Sequence, residues 1–139
     1  MAKNVSECIN RKKFVLDRIE FNSNDYFKFV GNAELEIVDR LETKSLSEEE
    51  FVVSVGRIIS SKTENLFNLS VFYDIHFFFK TGIGMVEESD IDEYIENNYQ
   101  SFTNVCMAKI SLLISQITAQ IGSGVPIVSS PYFNMGKDN

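Results

Sequence analysis

The segment Phe67-Asn68-Leu69-Ser70-Val71-Phe72-Tyr73-Asp74-Ile75-His76-Phe77-Phe78-Phe79 decides how this chain is read. Every odd position in it is apolar, while Asn68, Ser70, Asp74 and His76 alternate with Phe72 and Phe78 at the even ones. Strand side chains point to opposite faces in turn, so the pattern predicts one long strand with a continuous apolar face. Its 13 residues exceed the usual length of about 5–6. A strand of that length implies an extended sheet whose apolar face another layer must cover.

Moving outward, Phe51, Val53, Val55 and Ile59 share one phase and predict a strand over Phe51 to Ser60. Before it, Leu35, Ile37, Leu41 and Thr43 alternate with Glu34, Glu36, Arg40 and Glu42, which is a strand with one wet side. Phe14-Val15-Leu16 and Ile19-Glu20-Phe21 read as a broken first strand, and Tyr26-Phe27-Lys28-Phe29 as its continuation. The breaks at Asn22-Ser23-Asn24-Asp25, Ser47 to Glu50 and Lys62 to Asn65 are short and polar. Short turns favour an antiparallel meander over parallel crossovers.

After Thr81-Gly82-Ile83-Gly84 the period changes from strand to helix. Ser89 and Asp92 have the spacing of a capping box, and the acidic residues from Glu87 to Glu93 suit a helix N-terminus. We expect a short helix over Asp90 to Tyr99 and a long one over Ser101 to Ile121, stopped by Gly122 and Gly124. Phe102, Cys106, Ile110, Leu113, Ile117 and Ile121 form a helical stripe that Val105, Ala108 and Leu112 extend; Met107 and Ile114 lie off it. Between Glu96 and Lys137 the only charged residue is Lys109. A helix with so little charge is expected to be covered on two sides, by its own sheet and by a second subunit. Met107, Ser111, Ile114, Thr118 and Ile121 are the expected contacts to that subunit, in a homo-oligomer.

Composition bounds the function. The chain has 139 residues and a net charge of −7, which argues against binding nucleic acid through its phosphates. Residues 1–13 read as a flexible N-terminal tail or a short helix, 14–135 as one domain and 136–139 as a C-terminal tail. No apolar run is long enough to span a bilayer, and no leader-like apolar stretch opens the chain, so a cytoplasmic location without membrane insertion is expected. Cys8 and Cys106 are too few for a disulfide framework and, with the single His76, give no zinc spacing. His76 has no marked nucleophile or third residue for a triad, so we expect no enzyme, no metal and no cofactor.

Aromatic side chains remain as candidates. If the odd residues of the long strand face the helix, Phe72 and Phe78 fall on the opposite side. Tyr26, Phe27 and Phe29 sit on an edge segment, and Tyr132 and Phe133 in an apolar tail with two prolines. Either these residues complete the core and a subunit interface, or they line an exposed groove for extended polypeptide.

The order of elements resembles the SecB family of export chaperones over Phe14 to Met135. The run Phe102-Thr103-Asn104-Val105-Cys106-Met107-Ala108-Lys109-Ile110 to Gly122, then Val125-Pro126-Ile127 and Ser130-Pro131-Tyr132-Phe133, is similar to that family's long helix and apolar tail. Arg18-Ile19 and Asp25-Tyr26-Phe27 are similar to its first strand. Thr103 stands where the family commonly has proline, Lys28-Phe29 follow Phe27 in place of an acidic residue, and the chain given ends in Lys137-Asp138-Asn139 without an acidic tail. The resemblance implies an α+β fold, with a long helix packed on a four-stranded antiparallel sheet, assembled as a tetramer (a dimer of dimers). It implies an ATP-independent holdase for unfolded polypeptides, with the SecA translocation motor or an antitoxin as further partners. A dedicated adaptor for one protein partner is the competing reading.

Overall fold

The computed structural model describes residues 4–23, 35–61, 67–120 and 126–135. Its elements are α1 (Val5–Cys8), β1 (Ile9–Ser23), β2 (Leu35–Leu46), β3 (Glu50–Ser61), β4 (Phe67–Phe79) and α2 (Glu88–Thr118). The strands form one antiparallel sheet in the order β1-β4-β3-β2, so β1 and β2 are its edges. This is the expected α+β arrangement, and β4 has the bounds its alternation predicts, but the expected meander holds only for β2, β3 and β4: β1 pairs with β4 at the far edge, not with β2. The break expected in the first strand is a bulge between Leu16 and Arg18. The Ser47 hydroxyl closes the β2–β3 turn, accepting from the Glu49 and Glu50 N–H groups at 3.2 Å each. Gly82 and Gly84 adopt φ of 82° and 77° after β4, a conformation that favours glycine.

Three boundaries differ from expectation. The tail expected over residues 1–13 is built into the fold from residue 4 onward: Val5 and Cys8 are buried, and the Lys80 N–H donates to the Cys8 carbonyl at 2.8 Å. The two helices expected after β4 are one helix of 31 residues. The polar run Asn97-Asn98-Tyr99-Gln100 does not break it, because it holds neither glycine nor proline. Ser89 lies inside that helix and Glu87 is its N-cap, with no side-chain capping bond.

The odd face of β4 and β3 meets α2. Phe51, Val53, Val55, Ile59, Leu69, Val71, Ile75 and Phe77 are fully buried there. Phe51 stacks on Phe77 with centroids 4.4 Å apart, and Phe102 and Tyr94 of α2 meet Phe77 edge-on at 5.3 and 6.0 Å. Each such pair contributes about 0.5–1.5 kcal/mol beyond the area it buries. On the helix side, the buried face begins at Ile91 and Tyr94 and continues through Phe102, Thr103, Cys106, Met107, Ile110, Ile114 and Thr118. Met107, Ile114 and Thr118 were expected to face a second subunit; they are buried inside their own. Val105 and Leu112, expected on the sheet face, are exposed at 42% and 59%. Apolar residues occur nearly all round this helix, so periodicity alone selected a stripe rotated from the true one. Ser111 is half-buried, and Ile121 lies outside the described residues.

Among the described residues no helix lies on the opposite face of the sheet, yet part of that face is sealed. The Phe72 ring lies over Gly56 on β3, where an added Cβ would come within 2.2 Å of the ring. The Arg18 guanidinium closes the other side, 4.3 Å from the ring centroid. Phe72 is left only 7% exposed. Gly56→Ala is therefore expected to destabilise the fold by about 1–3 kcal/mol through overpacking. Chemical denaturation should show the loss, and adding Phe72→Ala should recover part of the Gly56→Ala effect.

Candidate functional site

An open groove of about 450 Å³ lies between α2 and the edge strand β2. Leu41 and Thr43 form its strand wall, Ile95 and Tyr99 its helix wall, and Met135 its end. Ile95 and Tyr99 are four residues apart, one helical turn, and so share a face. Asp92 and Glu96 hold the same spacing beside them, and with Glu42 they give the apolar floor an acidic rim.

The remainder of the space between helix and edge strand is filled by residues 126–135, which form a strap. It starts at the helix C-terminus, where the Ile127 N–H donates to the Thr118 hydroxyl at 2.7 Å. Further along, the Phe133 N–H donates to Asn104 Oδ1 at 3.4 Å, and the Phe133 ring packs against Tyr99 with centroids 6.1 Å apart. The strap therefore runs back along α2, and its last described residue, Met135, reaches the open groove.

A buried ion pair holds the strap down. Arg57 sits on the core face of β3, in phase with Val53, Val55 and Ile59, and is 1% exposed. Asp39 is its register partner on β2. Arg57 Nε and Nη2 donate to the two Asp39 oxygens at 2.6 and 2.8 Å, a bidentate pair. Nη1 donates to Ser129 Oγ and to the Ser130 carbonyl, and Nη2 to the Tyr132 carbonyl at 3.0 Å. These contacts use all five N–H donors of a guanidinium. Asp39 Oδ2 also accepts the Asn134 N–H at 2.8 Å.

Among the described residues, those singled out in the sequence are not brought together. Phe72 and Phe78 lie on the outer face of the sheet, Phe78 beneath Arg11 at 4.3 Å and beside His76. Tyr132 and Phe133 lie in the strap on the helix side, Tyr132 exposed and Phe133 half-buried. Tyr26, Phe27 and Phe29 lie outside the described residues. Sealed between Gly56 and Arg18, Phe72 offers no open surface, which corrects its placement among client contacts. The groove and the clamp escaped the sequence reading. The signal for the clamp was present: Arg57 and Asp39 each fall in the apolar phase of their strands.

Other polar groups are structural. His76 Nδ1 lies 3.3 Å from Glu50 Oε2 on the outer face. Burial pushes the Cys106 thiol up to about 12, against a smaller opposing effect of Lys109. Hydrogen bonding to Asp74 raises Lys44 above its ordinary value. Among the described residues, no three His, Cys, Asp or Glu side chains gather to hold a metal, and no helix is long and apolar enough to cross a membrane.

Among solved structures, the chain matches the Mycobacterium tuberculosis Rv1957 SecB-like chaperone, in complex with a ChAD peptide from the Rv1956 HigA1 antitoxin. The TM-score is 0.69, over 93% of this chain and 91% of that one. The fold is SecB-like. Identity is 9%, so the likeness is one of architecture. No protein-family model and no curated protein matches the sequence.

Within this SecB-like fold, the clamp is where a single substitution should cost most. Arg57→Ala leaves Asp39 charged and buried, and is expected to destabilise the chain by about 3–5 kcal/mol in urea titration. Replacing both partners together, as Arg57→Met with Asp39→Leu, should cost less than the single change.

Proposed function

We propose that this chain is an ATP-independent, SecB-like chaperone that holds extended polypeptide segments in the groove between α2 and β2. The observation that carries this reading is the open apolar groove beside an edge strand. Edge strands present unpaired N–H and C=O groups, to which an extended segment can add. Leu41, Ile95, Tyr99 and Met135 would take apolar side chains, and Glu42, Asp92 and Glu96 would attract flanking Lys or Arg. Such a mechanism needs neither nucleotide nor metal. The solved SecB-like neighbour, bound to an antitoxin peptide, supports a protein or peptide partner.

A dedicated adaptor with one protein partner is the second reading, favoured by the single antitoxin peptide on that neighbour. Client range separates the two. Export with the SecA motor and protection of an antitoxin, both cytoplasmic roles, are ways the same groove would be used.

We also propose a homo-oligomer, by resemblance a tetramer, with a revised interface. Val105 and Leu112 on α2 and Leu16 and Ile19 on β1 are each more than 40% exposed on the helix side of the sheet. Val105 and Leu112 are two turns apart on one face of α2, and Leu16 and Ile19 share one face of β1, so joined as one patch they would offer a partner surface.

Binding of a reduced, carboxymethylated protein without ATP tests the first proposal. Fluorescence anisotropy should show binding to this unfolded form and none to the native form of the same protein. Ile95→Ser should weaken that binding about tenfold, a loss of roughly 1.4 kcal/mol, with little change in melting temperature. Equal binding by Ile95→Ser would place clients elsewhere. For the second proposal, Leu112→Glu should lower the mass in sedimentation without unfolding the subunit; an unchanged oligomer would remove Leu112 from the interface.

A further inference from the structure

We infer that residues 126–135 occupy, in cis, a continuation of the client groove, and that an extended client segment takes their place. The inference rests on the proposed polypeptide-binding function and extends its site from the open groove to the strap's bed.

Among the described residues, most hydrogen bonds between the strap and the rest of the fold are made by its main chain. Arg57 grips the Ser130 and Tyr132 carbonyls. Asp39, Thr118 and Asn104 accept the N–H groups of Asn134, Ile127 and Phe133. The Ser129 hydroxyl is the one strap side chain that bonds to Arg57. Every residue but proline carries the same N–H and C=O pair, so these four side chains would hold an extended segment of almost any sequence.

Side-chain recognition is sparse by comparison. Ile127 is buried and Phe133 rests on Tyr99, while Val128, Tyr132 and Met135 are 83%, 65% and 60% exposed. A bed that reads backbone and asks for two apolar anchors is suited to unfolded chains in general. It is also continuous with the open groove, since Tyr99 and Met135 line the groove and Tyr99 touches Phe133. From Ile95 to Thr118 the helix rises about 35 Å, room for about ten extended residues. Exchange of strap for client keeps Arg57 and Asp39 hydrogen-bonded throughout. Departure of the strap without a replacement gives up its five main-chain bonds and opens the Arg57–Asp39 pair to water, so exchange with a client is favoured over simple loss.

Amide hydrogen exchange on the unaltered chain tests this, with reduced, carboxymethylated α-lactalbumin as client. As client saturates, the Ile127, Phe133 and Asn134 amides, freed from Thr118, Asn104 and Asp39, should exchange at least tenfold faster; slower exchange counts against the inference. Client binding that leaves all three amides and their environment unchanged overturns the inference and leaves the open-groove reading standing. No client binding at all removes that reading and the inference with it. In a second arm, Ile127→Ala with Phe133→Ala loosens the strap. Client affinity should rise threefold or more, and a synthetic peptide of residues 126–135 should compete. Unchanged or weaker affinity in a folded variant overturns the inference; if the variant does not fold, the exchange measurement decides alone.

Discussion

One helix cannot cover four strands. Neighbouring strands lie about 4.8 Å apart, so the sheet is roughly 15–19 Å wide, while a helix with its side chains is about 10–12 Å across. α2 packs on the two central strands, β3 and β4. Two flanks of the apolar face are left over, and the molecule treats them differently. On the β2 side the strap fills most of the gap and leaves a groove at its end. On the β1 side Leu16 and Ile19 stay exposed. The candidate binding site and the candidate interface are thus two outcomes of the same shortage of cover.

The strap has to be held without a large core of its own, and this accounts for the buried Arg57. A guanidinium presents donors in several directions from one rigid plane. Here it joins an edge strand, a central strand and an irregular segment. A fully apolar side chain at that position would pack against the strap but would not fix its path. The outer face applies a related device, with Arg18 and Arg11 lying over Phe72 and Phe78 in place of a second layer.

β2, β3 and β4 were legible in the sequence because each has one clear phase, whereas β1 changes phase at its bulge between Leu16 and Arg18 and was read short. Phe67 to Phe79 announces both its bounds and its buried face, and Phe51, Val53, Val55 and Ile59 fall where their spacing puts them. The helix was legible as a helix but not in its orientation. Val105, Met107, Leu112, Leu113, Ile114 and Ile117 surround the axis, and only contact with the sheet selects Met107 and Ile114 as inner. Arg57 and Asp39 could be placed in phase but not paired, because register is a property of two strands. The groove was hidden for a similar reason: its walls come from β2, α2 and the strap, which are far apart in the chain.

The Thr118 hydroxyl has a double attachment. It donates to the Ile114 carbonyl at 2.7 Å, within the last turn of α2, and accepts the Ile127 N–H at the same distance. Helix ends fray more readily than helix centres. Because one oxygen serves both, unwinding that turn also removes the first tether of the strap. The two ends of the segment are therefore unequal: the Ile127 end shares the fate of the helix terminus, while the Asn134 end is fastened to the sheet. Peeling should therefore begin at the former, and the bonds to Arg57 and Asp39 should be the last that the strap gives up to an incoming segment.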